Sequence, residues 1–320
     1  GPVRTVVKVT GGHRDKNGKR LFAYVNRFTF FAGSSTVGIR TTWGNDCEES
    51  EFTQYERISI QIPLARAPEW QWTLGLGGGR ESTGRGRVAL EQLHDDAYRI
   101  EPPAPDGAAT RRADGWIDVS NGRWGLVAAV KDFWQLYPKG LRITNDGLAV
   151  DLCPDFPEGT YDDASKLDEI KLYYYLMGGK YKVRLGMRKQ HEMMLHFHAG
   201  EFDAAGRQLA RAFQEPPIAA CTPERYCGTE VFGEILPATT GRTQEYEEVC
   251  EKVYRNSVAH RERGREYGML NFGDQWGERK VNWANGEYDH HHAYLMQFIR
   301  SADPKWYHLA EKAARHAIDV

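Results

Sequence analysis

The chain has 320 residues, with 42 basic and 44 acidic side chains and a formal net charge of −2. This length favours two domains over a single compact core. The balanced charge excludes an overall electropositive surface of the kind that binds nucleic acid or an anionic membrane. No apolar run is long enough to cross a bilayer, so neither nucleic acid nor a membrane is expected as a partner.

Cysteine usage argues against a zinc or thioredoxin-type site, because the five cysteines form no CxxC pair. The chain is rich in aromatic residues, with 9 Trp and 16 Tyr. Most of them are expected in the core, and the remaining Trp residues would suit a saccharide cleft.

Residues 5–188 predict antiparallel β-strands, since β-branched and aromatic residues cluster or alternate at 6–9, 22–30, 37–42 and 58–62. Further strands are expected at 115–120, 124–130, 141–144, 148–152 and 172–177. Turn signals separate the strands, and no helical period lies between them. We therefore expect a large antiparallel β-sandwich region over residues 1–200, with a possible division into two sub-domains near 101–114.

The pattern becomes helical after residue 200. Asp203 is a predicted N-cap, and helices are expected over about 243–265, 287–300 and 304–319. The connection after residue 300 is so short that the last two helices should form an antiparallel αα-hairpin. Such hairpins are the units of helical toroids. The expected fold is therefore multidomain, a β-sandwich region followed by the truncated start of an (α/α) toroid over residues 201–320.

One predicted strand, residues 187–198, carries three histidines. Alternation places His196 and His198 on one face and His191 on the other, among Met193 and Leu195. The first two could chelate a metal, but two ligands do not make a site. His191 is by default a core histidine. Its cationic neighbours and its place at the strand end favour a catalytic role as the alternative.

The segment 271–292 combines Trp and Tyr with Asn, Asp, Glu and His. Sugar-binding clefts use such sets, because sugar faces stack on aromatic rings and hydroxyls need directional partners. Candidates for stacking are Trp276 and Trp283 here, and Trp134 as a cleft wall or, equally, a packed sandwich corner. Asp274 and Glu287 could instead form the carboxylate pair of a glycosidase.

Four blocks in this order resemble the exo-rhamnogalacturonan lyase-like family (polysaccharide lyase family 26). They are residues 11–33, 130–140, 188–192 and 273–290. The resemblance implies a β-sandwich assembly joined to an (α/α) toroid, of which this chain would be a fragment. It also implies a carbon–oxygen lyase that cleaves an acidic polysaccharide such as rhamnogalacturonan by β-elimination.

Elimination at a uronate needs neutralisation of the carboxylate, a base for the C5 proton and an acid for the leaving oxygen. Residue chemistry and the resemblance together predict His191 or Tyr288 as base and Tyr288 or His291 as acid. The predicted substrate-binding residues are Arg188 and Asn285 for the carboxylate, with Trp276, Trp283 and Trp134 for the sugar rings.

Two alternatives stay open: a glycoside hydrolase on the same architecture, and a non-catalytic carbohydrate-binding homologue. An acidic polysaccharide or oligosaccharide is the expected partner, and a polymeric substrate would favour a secreted or periplasmic location. No metal ligand is predicted, although calcium could bind at Asp162, Asp163 and Asp168, where a solvated loop is the commoner explanation.

Overall fold

The computed structural model describes residues 1–64, 70–103, 112–161, 176–238, 241–275 and 285–319. These residues form two compact units, which span residues 1–216 and 217–319. The first unit is built from antiparallel strands and one helix, and the second is helical.

The strands of the first unit all pair antiparallel, which confirms the predicted antiparallel β architecture. The larger sheet has eight strands in the order β1-β2-β3-β15-β11-β10-β6-β7, a second has five in the order β5-β13-β12-β8-β9, and β14 pairs with β4. The strand bounds are β1 Arg4–Arg14, β2 Arg20–Phe31, β3 Thr36–Asn45, β4 Phe52–Tyr55, β5 Ile58–Pro63, β6 Gln71–Gly75, β7 Glu81–Arg85, β8 Val88–His94, β9 Ala97–Glu101, β10 Trp116–Ser120, β11 Trp124–Val130, β12 Lys139–Thr144, β13 Gly147–Cys153, β14 Tyr181–Arg184 and β15 Arg188–Ala199.

Helix α1 (Ala204–Gln214) covers part of one face of the eight-stranded sheet. Its Ala210 packs with four buried residues of that face, Trp116, Val127, Ala129 and Met194. The Asp203 carboxylate accepts a hydrogen bond from the Gly206 amide at 2.8 Å, which confirms the predicted N-cap.

The C-terminal end of α1 is tied to the sheet by Gln214. Its side-chain nitrogen donates to the carbonyls of Asp114 (3.0 Å) and Val130 (2.8 Å). Its side-chain oxygen accepts from the Asp132 amide at 3.1 Å. The whole side-chain amide is therefore used to hold the helix against the ends of two strands.

The opposite face of the eight-stranded sheet is apolar in its centre and adjoins the five-stranded sheet. Strand β13 is buried along its whole length. Lys139 of β12 is fully buried, and its ammonium donates to the carbonyls of Leu136 (2.6 Å), Pro138 (3.1 Å) and Leu152 (2.9 Å). Burial lowers the pKa of Lys139 to about 7.

The second unit contains α2 Pro223–Cys227, α3 Gln244–Gly264, α4 Asn285–Tyr288, α5 His290–Ser301 and α6 Pro304–Asp319. Helices α5 and α6 pack as the predicted hairpin around Tyr294, Phe298, Trp306, Leu309 and Ala310. The Asp303 carboxylate starts α6 by accepting from the Lys305 amide at 3.0 Å. None of the described helices is both long and apolar enough to span a membrane.

In the described part of the chain one hairpin packs with α3, and no ring of hairpins of the kind that makes an (α/α) toroid is present. Helix α3 carries an apolar stripe, and only part of that stripe reaches this core. Cys250 and Tyr254 pack against it, whereas Tyr246, Val249 and Val253 are exposed. The sequence predicted helix α3 correctly. It did not predict how much of the apolar stripe is covered by the α5–α6 hairpin.

Candidate functional site

A pocket of about 340 Å³ lies on the α1 side of the eight-stranded sheet. The strand register places two polar rows side by side at its base. Asp118, Thr73 and Thr83 form one row across β10, β6 and β7. Ser120, Gln71 and Arg85 form the next. Alternation sends these side chains to one face, so the sheet itself builds the polar base.

Four of these side chains are not used by the fold. Within the described residues, Gln71, Thr73, Thr83 and Ser120 make no side-chain hydrogen bond. Thr73 and Ser120 are nevertheless buried. Buried polar groups normally have partners, and a hydroxyl or amide can both donate and accept. The pocket therefore offers several hydrogen-bonding groups to a ligand.

Asp118 and His198 form a hydrogen-bonded pair at the pocket. His198 Nε2 lies 2.7 Å from Asp118 Oδ2, and both side chains are largely buried. The imidazole reaches the carboxylate by crossing β11 at Gly125. A Cβ at that position would lie 2.3 Å from the imidazole Cε1, so glycine leaves the space that the ring occupies.

The wall of the pocket comes from the segment before α1 and from α1 itself. The Phe202 ring packs on Trp116 with centroids 5.2 Å apart, and the Arg207 guanidinium lies 4.5 Å from its centroid. Arg207 Nε donates to Glu81 Oε1 at 2.6 Å. These contacts leave an aromatic and charged wall beside the polar base.

Burial raises the pKa of Asp118 to about 6, although the hydrogen bond from His198 lowers it. A carboxyl group that titrates near neutral pH can both accept and release a proton under physiological conditions. Asp118 is thus a candidate acid–base group in this pocket, and His198 Nε2 is hydrogen-bonded to one of its oxygens.

The sequence-predicted residues of the first unit lie elsewhere. His191 is 2% exposed on the opposite face of β15, and burial lowers its pKa well below the usual value. Among the described residues, neither of its ring nitrogens has a hydrogen-bond partner. Arg188 is exposed at the start of β15. Trp134 is half-buried, with the Arg112 guanidinium 4.1 Å from its ring centroid.

The remaining predicted residues belong to the second unit. Asn285 is 1% exposed and its side-chain nitrogen donates to the carbonyls of Gly273 (3.2 Å) and Ala313 (2.8 Å). Tyr288 is 63% exposed, and its ring stacks on His290. His291 Nε2 lies 3.0 Å from Asp289. Trp276 and Trp283 lie outside the described residues.

The carboxylates proposed for other functions are also accounted for. Asp274 is fully buried and accepts from the amides of Gln275 (2.7 Å) and Asn285 (3.0 Å), while Glu287 is exposed. The suggested calcium residues Asp162, Asp163 and Asp168 lie outside the described part of the chain. Where residues are described, no group of three or more His, Cys, Asp or Glu side chains is placed to hold a metal.

Sequence analysis placed His198 on the correct face but missed the pocket. His198 contacts the pocket only through Asp118. The residues that line the pocket include Gln71, Thr73, Thr83, Asp118, Ser120 and Phe202, which are common residue types in short strands or loops. The signal that was available is the polar Asp118 and Ser120 alternating with Ile117 and Val119 in an otherwise apolar strand. Only the sheet order shows that Asp118 and Ser120 adjoin β6, which in turn pairs with β7.

No protein-family model matches this chain, and no curated protein matches its sequence. Among solved structures, similarity is found to a galactose mutarotase-like protein from Lactobacillus casei, with 13% identity over 60% of this chain and 70% of that one, at a TM-score of 0.30. A galactose mutarotase-like protein from Clostridium acetobutylicum gives 9% identity, 61% and 63% coverage and a TM-score of 0.32. A family 36 α-galactosidase from Geobacillus stearothermophilus is 12% identical over 62% of this chain and 24% of the galactosidase, at a TM-score of 0.33. This chain thus spans less than two thirds of the Clostridium protein and about a quarter of the galactosidase.

These findings correct the predicted family and function. No family model matches, and the similar structures are described as galactose mutarotase-like proteins and an α-galactosidase rather than polysaccharide lyases. Membership of the rhamnogalacturonan lyase-like family, the carbon–oxygen lyase activity and β-elimination are therefore wrong. The physical reason is visible in the blocks that carried the resemblance. His191 is enclosed in the core and Asn285 binds backbone carbonyls, so both residues are explained by folding.

Proposed function

We propose that the first unit binds carbohydrate in the pocket formed by β6, β7, β10 and the start of α1. The observation that carries this proposal is the set of four side chains, Gln71, Thr73, Thr83 and Ser120, that no other described residue uses. A sugar presents many hydroxyls, each of which donates and accepts. A binding site for it therefore needs several adaptable hydrogen-bonding groups close together.

The wall of the pocket supports the same proposal. Phe202 gives an apolar surface beside the polar base, and Arg207, which is paired with Glu81, adds a charged donor. Pockets for small molecules commonly combine an apolar wall with a few convergent polar groups. The acidic character expected of the glycan stays a prediction, because it depends on basic side chains outside this pocket.

A second candidate function is sugar isomerisation by proton transfer, and the Asp118–His198 pair is the observation that favours it. With a pKa of about 6, Asp118 could take a proton from the anomeric hydroxyl while a solvent water gives a proton to the ring oxygen, whose bond to the anomeric carbon breaks. The resulting hydroxide takes up the proton that Asp118 releases, so the protons balance. Reclosure on the other face reverses these transfers and gives the opposite anomer, so no atoms are gained or lost.

Binding is tested by titration calorimetry with a panel of monosaccharides, comparing the wild-type chain with Thr83→Val. Loss of one hydrogen-bonding hydroxyl should weaken binding by about fivefold. The matched control is Ser82→Ala, because Ser82 is the neighbour of Thr83 on β7 and alternation sends its side chain to the opposite face. Equal effects of both changes, or no sugar binding at all, would contradict the proposal.

Isomerisation is tested by following anomer interconversion of the sugar that binds, using exchange NMR. Asp118→Asn should keep the hydrogen bond with His198 and abolish the acceleration. The wild-type rate should depend on a group with a pKa of about 6. Binding without acceleration in the wild-type chain would leave carbohydrate binding as the function and remove the isomerase.

A further inference from the structure

A row of three basic side chains crosses the eight-stranded sheet on the face that carries the pocket. Lys8 of β1 lies directly opposite Arg27 of β2, and Arg27 lies opposite Arg40 of β3. Glu192 of β15 is opposite Arg40 and accepts from its Nε at 2.9 Å. Neighbouring strands are about 4.8 Å apart, so the three cations span about 10 Å.

This arrangement is unfavourable in the free protein, because like charges directly opposite each other on adjacent strands destabilise a sheet. Glu192 compensates Arg40. Within the described residues, Lys8 and Arg27 have neither an ion pair nor a side-chain hydrogen bond. Lys8 and Arg40 are exposed, and Arg27 is half-exposed. Two of the three charges therefore lack a counter-charge and are open to solvent.

Protection of a sheet edge does not explain the row. Lysine on an edge strand prevents edge-to-edge aggregation, and Lys8 does lie on the edge strand β1. Arg27 and Arg40, however, lie on the interior strands β2 and β3, which are paired on both sides. A binding role accounts for all three cations, whereas edge protection accounts for one.

The surroundings of the row suit a glycan. The next row along the strands contains Thr10, Val25 and Thr42, which places hydroxyl groups beside the cations. Glu192 shares its face of β15 with His196 and His198, and His198 is six residues away, or about 20 Å along the strand. An oligosaccharide is long enough to contact both the basic row and the surface near His198, whereas a single sugar is not.

We propose that the row Lys8–Arg27–Arg40 binds the anionic groups of a polysaccharide, and this inference rests on the proposed carbohydrate-binding function. The shared ligand chemistry is a repeated carboxylate or sulfate on a sugar chain. Because the three cations lie on adjacent strands, each can contact a different anionic group along the sugar chain. Exposed ion contacts are screened by salt, so binding should weaken as ionic strength rises.

The test measures binding of the full chain to four polymers at low salt: polygalacturonate, dextran sulfate, neutral dextran and double-stranded DNA. The row variant is K8Q/R27Q/R40Q. It should lose affinity for one or both anionic glycans by about 10-fold or more. The matched control is R57Q/K180Q/R184Q, which removes three exposed cations that pair with Asp155, Glu56 and Glu51 in the same unit.

Preference for polygalacturonate or for dextran sulfate identifies carboxylate or sulfate as the recognised group. Equal losses in the row and control variants would overturn the proposal, because net charge alone would explain binding. DNA bound more tightly than both anionic glycans would also overturn it. A thermal midpoint that is unchanged or raised in the row variant supports a binding role, whereas a fall with unchanged polymer affinity would make the row structural.

The two proposals fail separately. Thr83→Val changes the pocket and leaves the row intact, so monosaccharide titration reports on the pocket alone. Monosaccharide binding without polyanion binding would sink only the row. If the chain binds polyanions through the row but binds no monosaccharide, the pocket proposal is wrong and the row is an anion-binding surface.

Discussion

The two faces of strand β15 use histidine in opposite ways. On one face, His198 bonds to Asp118 beside an open pocket and crosses a glycine that leaves room for its ring. On the other, His191 is enclosed in the core, and neither of its nitrogens is bonded to any residue that the structure describes. The two residues are seven positions apart, and the period of two alone separates them. The comparison teaches that the face of the sheet, rather than the residue type, decides which histidine can meet a ligand.

The largest effect is expected on the core face, from Lys139→Met. This change would leave three buried carbonyls without their donor, each of which costs about 1–3 kcal/mol. We expect the free energy of unfolding to fall by about 3 kcal/mol or more in urea denaturation. Lys180→Met is the control, because Lys180 is exposed. A fall of the same size in both variants would show that the carbonyl contacts are unimportant.

Gly125→Ala should break the hydrogen bond between His198 and Asp118 beside the pocket. Its Cβ would lie 2.3 Å from the His198 ring, which must then move away from Asp118. We expect a loss of stability of about 1–3 kcal/mol, as in other overpacked sites. NMR of the imidazole should show loss of the short hydrogen bond. Gly38→Ala is the control, because the added Cβ would meet only the Thr29 Cβ at 3.7 Å, which is an ordinary contact. Gly122→Ala is unsuitable, because the φ of Gly122 is +80° and any side chain there would be strained.

The pH dependence of stability should identify Asp118. Its folded pKa of about 6 lies above the usual value of 3.8, so the unfolded state ionises first as the pH rises from about 4 to about 6. Stability contributed by this group is therefore lost over that window. Asp118→Asn should remove this part of the slope in unfolding curves recorded from pH 4 to 7. An unchanged slope would mean that the carboxyl titrates normally.

The smallest effect is expected from His191→Leu, because no hydrogen bond is lost and an apolar side chain suits the site. The free energy of unfolding at pH 8 should change by less than about 1 kcal/mol. The pKa of His191 is lowered in the folded state, so below about pH 6.5 only the unfolded state gains the proton and stability falls. The variant should flatten that acid limb. Loss of sugar binding in this variant would contradict the inference that only the pocket side of β15 meets a ligand.

The antiparallel strands, the cap at Asp203 and the last helix pair could be predicted, because each depends on residues near one another in sequence. The separation of His191 from His196 and His198 followed from alternation in the same way. The pocket could not be predicted, since Asp118 and Thr73 are brought together only by the pairing of β10 with β6. The blocks around His191 and Asn285 suggested the wrong family for a related reason, because a side chain that is buried by folding and one that binds a ligand look alike in sequence.

The attachment of α1 has a consequence for the kinetics of binding. Asp203 fixes one end of this helix, Arg207 is paired with Glu81, and Gln214 uses its whole amide at the other end. A pocket wall held at three points is preorganised, so little side-chain or loop ordering should accompany association. Association should therefore be a single concentration-dependent phase without a slower rearrangement, and differences in affinity among sugars should arise mainly from their dissociation rates.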